Sequence, residues 1–289
     1  SETTGKDKIA VLFAEGSIVM GEGDDSNIGG NRYAEEMRKL RKDSTVKAIV
    51  FRVNSRGGNA IASDIIWREV ELTDKVKPVV VSMGNYAASG GYYISAAARK
   101  IMASPVTVTG SIGVFGLIPN AQALLDNKLG ISSDVVRTNA HSDSPSLTRP
   151  LSAFERDAIQ SNVEQTYSTF TGVVAAGRKM RQTAVDSIGQ GRVWSGTDAI
   201  PIGLVDSFGG LEDAIKEAAS LAGLEDYKTI EKPESGDFYT KFLKELTGDI
   251  RAKAIRNELG EISRYYFDLK DIVSSGGIQA ELPYYIEIR

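Results

Sequence analysis

Pro78-Val79-Val80-Val81-Ser82-Met83 is a short apolar run of the kind that fills a buried strand. Gly84-Asn85-Tyr86-Ala87-Ala88-Ser89-Gly90-Gly91-Tyr92-Tyr93 then supplies a small-residue turn, a serine and a helix start. Outward from this stretch the alternation repeats. A small-residue helix is expected from Ala88 to Ala98, followed by a strand from Lys100 to Ala103. Upstream, Ala60 to Thr73 has helical spacing and is preceded by the strand Ala48-Ile49-Val50-Phe51-Arg52-Val53. Before that come helical spacing over Asn31 to Lys42 and a β-rich run from Ile9 to Met20. Short apolar strands alternating with helices pack as a mainly parallel sheet with right-handed crossovers. The fold class is therefore α/β.

From Leu151 to Lys179 the pattern turns helical, with Phe154, Ile159, Val163, Tyr167, Phe170 and Val174 recurring mostly at threes and fours. Trp194 to Ala199 reads as a turn into a short helix, and Leu211 to Leu221 as an amphipathic one. Glu231 to Gly236 is polar, contains Pro233 and reads as a hinge. Phe238 to Tyr266 is long, charged and helical. The end, Leu282-Pro283-Tyr284-Tyr285-Ile286-Glu287-Ile288-Arg289, fits either an added strand or a segment docked on a partner. These breaks divide the chain into an expected domain over residues 1–224 and a helical extension with a tail over 225–289.

The composition of the 289 residues, 42% hydrophobic and 25% charged, is that of a globular protein. Net charge is −4 with no run of like charges, which points away from nucleic acid and from a polybasic membrane surface. Cysteine is absent, so disulfides, thiolate metal sites and a cysteine nucleophile are excluded. Histidine occurs once, at His141, so a histidine metal cluster is excluded and a Ser-His-Asp triad would have to run through that residue. No metal or cofactor is expected. No apolar stretch reaches the roughly 18–20 residues of a spanning helix. The polar start, Ser1 to Lys8, reads as a linker, and the chain is expected to be a piece of a longer protein.

A nucleophilic serine needs an exposed hydroxyl, a backbone that substrate can approach and amide donors for the oxyanion. Ser89 at a helix start offers these, because the first N–H groups of a helix lack internal partners. The same segment also reads as a plain N-cap before a tightly packed helix. Asn54-Ser55-Arg56-Gly57-Gly58-Asn59 places two glycines after a buried strand, where N–H groups can be aimed at a ligand. An ordinary strand-to-helix turn fits it equally well. Thr109-Gly110-Ser111-Ile112-Gly113-Val114 adds a second serine among glycines.

Together, Asn54 to Gly58, Tyr86 to Tyr93 and Thr109 to Val114 resemble, in order and spacing, the signal peptide peptidase A (protease IV) family. Gly191-Arg192-Val193-Trp194-Ser195-Gly196 and Gly203-Leu204-Val205-Asp206 match a further family stretch, and the resemblance spans Ile9 to Leu221. It implies a crotonase-like, Clp protease-like superhelical fold with Ser89 as nucleophile. Gly58 and Gly90 would form the oxyanion hole, and Ser111 would orient a catalytic lysine. Arg56 stands where the family usually has proline, which leaves that turn without a fixed φ. The resemblance further implies an extended peptide substrate such as signal-peptide remnants. It also implies a homo-oligomer, tetramer or ring, and an inner-membrane protein with its catalytic part on the extracytoplasmic side.

A serine hydroxyl is a poor nucleophile without a base. Single-length members of the family carry a lysine in an Ala-His-Lys-Asp type segment. Asn139-Ala140-His141-Ser142-Asp143 places Ser142 at that position. Double-length members split the dyad, with lysine in the amino-terminal half and serine in the carboxy-terminal half. This chain resembles the latter, so its base is expected from an amino-terminal half and the chain alone is expected to be inactive. His141 and Lys100 are the alternative bases within it. Three rival readings are a crotonase-type acyl-CoA enzyme, a Clp protease subunit and a non-catalytic scaffold half. The Clp subunit needs a histidine soon after the serine, which Ile112 to Leu129 lacks.

Overall fold

A computed structural model describes residues 7–233 and 277–281. Strand β1 (Lys8–Glu15) leads through β2 (Ser17–Val19) and β3 (Asn27–Gly29) into helix α1 (Gly30–Lys42). Next come β4 (Val46–Ser55), β5 (Gly57–Asn59) and α2 (Ala60–Asp74), then β6 (Val79–Ala88), α3 (Gly90–Ser95), β7 (Lys100–Ala103), β8 (Val108–Gly110) and β9 (Phe115–Leu117). An exposed arm carrying the helical turn α4 (Gln122–Leu124) precedes the long helix α5 (Ala153–Arg178). After it run α6 (Gln182–Ile188), β10 (Val193–Ser195), α7 (Gly196–Ala199), β11 (Ser207–Phe208), α8 (Leu211–Ala222), β12 (Lys228–Lys232) and β13 (Gly277–Glu281).

The main sheet has the order β10-β8-β6-β4-β1-β12, with β7 and β11 branching from β6. Its pairings are parallel except β10 against β8. Ile49, Val50, Phe51, Val79, Val80 and Val81 are fully buried, as strands covered on both faces must be. Alternation along the strands divides the core. One face gathers Leu12, Phe51 and Val81 with Ile66 of α2, Tyr92 of α3 and Phe170 of α5. The other gathers Ile9, Val11, Val50 and Val80 under Ala214, Ala218 and Ala219 of α8. Helices α1 and α2 are joined by Glu69, whose buried carboxylate accepts from Arg38 at 2.6 Å and Arg41 at 2.7 Å.

This is the α/β fold with a mainly parallel sheet that the alternating pattern implied, with three differences of detail. Gly84 to Ala88 is strand, not turn, because β6 changes neighbours along its length. Val80–Ser82 pair with β7, and Tyr86–Ala88 pair with β8. The following helix is only Gly90–Ser95, shorter than the stretch from Ala88 to Ala98, because Ser89 takes a left-handed φ of 53°. Part of the expected hinge is strand: β12 lies past residue 224 yet pairs with β1, so the main sheet draws on both sides of the expected boundary. The helical extension expected over Phe238 to Tyr266 and the end from Leu282 to Arg289 lie outside the described residues. Among the described residues no helix is long and apolar enough to cross a membrane.

A second, smaller sheet runs β3-β2-β5-β13-β9. It meets the main sheet where β4 runs through Arg56 into β5, and there α3 packs closely, since a Cβ on Gly91 would stand 2.6 Å from the Ser55 carbonyl oxygen.

Candidate functional site

Ser89 follows the last residue of β6 and precedes α3, with φ 53° and ψ −116°. Such a backbone costs about 1–3 kcal/mol for a residue with a side chain. It is held on both sides: the Ser89 N–H donates to the Gly110 carbonyl at 2.8 Å, and Tyr93 N–H donates to the Ser89 carbonyl at 2.8 Å. The side chain does not cap the helix, so the N-cap role is not the one found. Instead Oγ donates to the Gly113 carbonyl at 3.4 Å, a long and weak contact. Ser89 is 0% exposed, whereas an exposed hydroxyl was expected.

Facing it is the turn at Gly57-Gly58. Gly57 has φ 107° and Gly58 φ 150°, where any side chain is strained. Close approach adds a second reason for glycine. A Cβ on Gly57 would stand 2.7 Å from the Gly90 nitrogen, and one on Gly58 would stand 2.1 Å from the Ile18 carbonyl oxygen. The turn is braced by Ser55, whose Oγ accepts from Gly57 N–H at 3.1 Å and donates to the Gly16 carbonyl at 2.7 Å. Arg56, in the position of the family's proline, lies over the Tyr86 ring at 5.0 Å. The structure thus brings Gly57, Gly58 and Gly90 to one corner beside Ser89.

Ser111 follows β8 with φ 48°. Its turn is held by the stretch from Gly191 to Trp194: Ser111 N–H donates to the Arg192 carbonyl at 2.7 Å, and Gly191 N–H donates to the Ile112 carbonyl at 2.8 Å. The Ser111 hydroxyl makes no side-chain hydrogen bond among the described residues. It opens on a largely apolar cavity of about 470 Å³ lined by Gly113, Val114, Phe115, Val163 and Tyr167 among others. Burial, then the bond to Asp186, pushes the Tyr167 hydroxyl up to about 12, so near neutral pH it is an uncharged donor. Gly113 links this cavity to Ser89 through its carbonyl, a connection the sequence reading did not single out.

Tyr92 and Tyr93, close to Ser89 in sequence, are core residues. Burial raises both phenols well above their ordinary value. Tyr92 donates to the Leu204 carbonyl at 2.9 Å and Tyr93 to Asp64 at 2.7 Å. The stretch Gly203 to Asp206 is tied in turn to α5, where Arg178 donates to the Gly203 carbonyl at 3.0 Å and pairs with Asp206 at 2.5 Å. The stretches Gly191 to Trp194 and Gly203 to Asp206 therefore fasten the Ser111 turn and the helix that follows Ser89.

Neither alternative base shares a contact with Ser89. His141 stacks on Phe154, ring centroids 4.5 Å apart, and faces Glu155 at 3.9 Å. It belongs to a cluster in which Arg149 bridges Asp143 and Glu155. Lys100 pairs at 2.9 Å with Glu217 of α8, on the sheet face opposite α3. Ser142 lies in an exposed turn, its hydroxyl donating to the Asn139 carbonyl at 3.3 Å. Among the described residues no group of His, Asp and Glu is placed to hold a metal ion.

The fold, a mainly parallel sheet in which β6 runs into Ser89 beside a Gly-Gly turn, is Clp protease-like, and the Clp protease family matches residues 1–135. The chain belongs to peptidase family S49, whose match covers residues 71–225. It is 43% identical over 245 residues to Protease 4 of Salmonella typhi, covering 84% of this chain and 39% of that protein. The chain thus spans well under half the length of that relative. A protein of Synechocystis sp., named as a candidate protease, is 34% identical over 265 residues, 90% of each chain. Among solved structures, a ClpP1 mutant of Listeria monocytogenes aligns with TM-score 0.47 and 16% identity over 71% of this chain and 94% of its own.

Proposed function

We propose that this chain is the serine-bearing part of a serine endopeptidase that works through a Ser/Lys dyad, its lysine supplied by a segment outside this chain. One observation carries the reading. Ser89 is held at a strained backbone next to Gly57, Gly58 and Gly90, and its hydroxyl is not used to cap the helix it precedes.

In this reading Ser89 Oγ attacks the peptide carbonyl carbon while a neutral amine takes its proton. The oxyanion is held by the N–H groups of Gly58 and Gly90, each such donor ordinarily worth about 10²–10³ in rate. Ser111 orients the amine by hydrogen bonding. An amine stays neutral near pH 7 only where desolvation lowers its pKa. The apolar cavity beside Ser111 offers that environment. The substrate is an extended peptide, such as a signal-peptide remnant, added to the β5 edge by main-chain pairing. The peptidase domain extends past the expected boundary at residue 224, since β12 and β13 complete its two sheets. The whole protein works as a homo-oligomer at the inner membrane, its catalytic part on the extracytoplasmic side.

The test is co-expression with the lysine-bearing half of a double-length relative, followed by a peptide cleavage assay. Hydrolysis is expected from the pair, and none from the chain alone or from a pair carrying Ser89→Ala. Hydrolysis by the purified chain alone that Ser89→Ala abolishes would overturn the external base. Cleavage by the pair that survives Ser89→Ala would overturn the nucleophile.

A further inference from the structure

Strand β13 is laid antiparallel between β5 and β9. Gln279, Ala280 and Glu281 face Asn59, Gly58 and Gly57, and Gly277, Ile278 and Gln279 face Leu117, Gly116 and Phe115. It therefore occupies the β5 edge that an incoming extended peptide would need. Its carbonyls reach the corner described above. The Ala280 oxygen is 2.0 Å from where a Cβ on Gly57 would sit and 2.9 Å from where one on Gly90 would sit. Gln279 is 5% and Ala280 1% exposed, and Ser89, which directly precedes Gly90, is 0% exposed. A serine that attacks peptides cannot remain sealed.

We infer that the strand Gly277–Glu281 is an intramolecular occupant of the peptide groove, with the Ala280 carbonyl resting at the Gly57–Gly90 corner, and that it must leave before substrate enters. This inference rests on the peptidase reading. A docked strand of this kind lowers apparent affinity for a second peptide by the fraction of time the groove is open. A permanent structural strand would leave affinity unchanged when weakened.

The experiment uses the full chain carrying Ser89→Ala, so that no probe is cleaved. A fluorescein-labelled peptide with the sequence of residues 275–283 is titrated in trans by anisotropy. Ala280→Arg puts an unpaired cation at a buried position, and Gln279→Pro removes a ladder N–H from a central strand. Each is expected to bind the probe about tenfold or more tightly than the parent. The inference is overturned if both variants melt like the parent and bind the probe no better. Should either variant fail to fold, hydrogen exchange of the parent with saturating probe decides. Faster exchange over residues 277–281 supports displacement, and unchanged exchange refutes it. Tighter binding by the Ser89→Ala variants, with no hydrolysis by the corresponding chains that retain Ser89 and are paired with the lysine-bearing half, would sink the peptidase reading alone. Equal hydrolysis by chains retaining Ser89, with and without the tail substitutions, would sink this inference alone.

Discussion

Two glycines in the same helix, Gly172 and Gly177 of α5, should respond to alanine with opposite signs. An alanine inside a helix normally stabilises by about 0.5–1 kcal/mol relative to glycine. At Gly172 the added Cβ would meet only Gln182 Nε2, at 3.7 Å, an ordinary contact. Gly172→Ala should therefore show that gain. At Gly177 the Cβ would lie 2.0 Å from the Ala96 carbonyl oxygen and 2.7 Å from its carbon. Both are backbone atoms at the end of α3, so no flexible side chain can step aside. The helices must separate by about one ångström, and forced overpacking typically costs about 1–3 kcal/mol. That outweighs the propensity gain and leaves Gly177→Ala about 1–2 kcal/mol less stable than the parent. In a domain of this size the loss lowers Tm by about 2–8 °C. Urea unfolding at fixed temperature, with an unchanged slope, measures both variants directly. Because α3 starts beside Ser89, Gly177→Ala should also slow acylation of Ser89 by a serine-directed reagent when the lysine-bearing half is present. A Gly177→Ala chain as stable as Gly172→Ala would refute the close approach of α5 and α3.

Gly58→Ala should be worse still, since φ 150° and the 2.1 Å approach to the Ile18 carbonyl act together; a loss of about 2–4 kcal/mol in urea unfolding is expected. The Arg149 guanidinium holds the Asp143 carboxyl at about 2 and that of Glu155 lower again. Depressed carboxylates stabilise above their unfolded values, near 4, and lose that contribution as pH falls through the folded ones. The Tm gap between the parent and Arg149→Met should therefore be full at pH 6 and shrink between about pH 4 and pH 2. An equal gap at both ends would show that the ion cluster is not its source.

The apolar runs of β1, β4 and β6 and the spacing of α1, α2, α5 and α8 were legible because each is a local pattern matched to one period. Gly84 to Ala88 was not, since small residues look like a turn until a second neighbouring strand is there to pair with them. The same holds for Ser89. Its left-handed backbone is imposed by Gly110 and Tyr93, and nothing in Ala88-Ser89-Gly90 states it. The family resemblance marked Gly191 to Gly196 and Gly203 to Asp206, and only packing reveals what they do. They brace the Ser111 turn and the helix bearing Tyr92. The role of Gly113 is carried by a carbonyl, which every residue has, so no residue type could announce it. Strand β13 was missed for a related reason: hydrogen-bonding capacity belongs to any extended segment, and its destination is set by an open edge far away in sequence.

The parallel pairing of Lys228–Lys232 with Lys8–Leu12 has a practical corollary. The outer margin of the main sheet is sewn shut by residues that come after α8, which packs on one of its faces. A polypeptide ended at residue 224 would keep β5, β6 and α3 around Ser89, yet it would lose that seam and β13 with it. The bare margin of Lys8 to Leu12 would then offer unpaired amides and carbonyls to any neighbour, and such molecules should clump rather than stay dispersed.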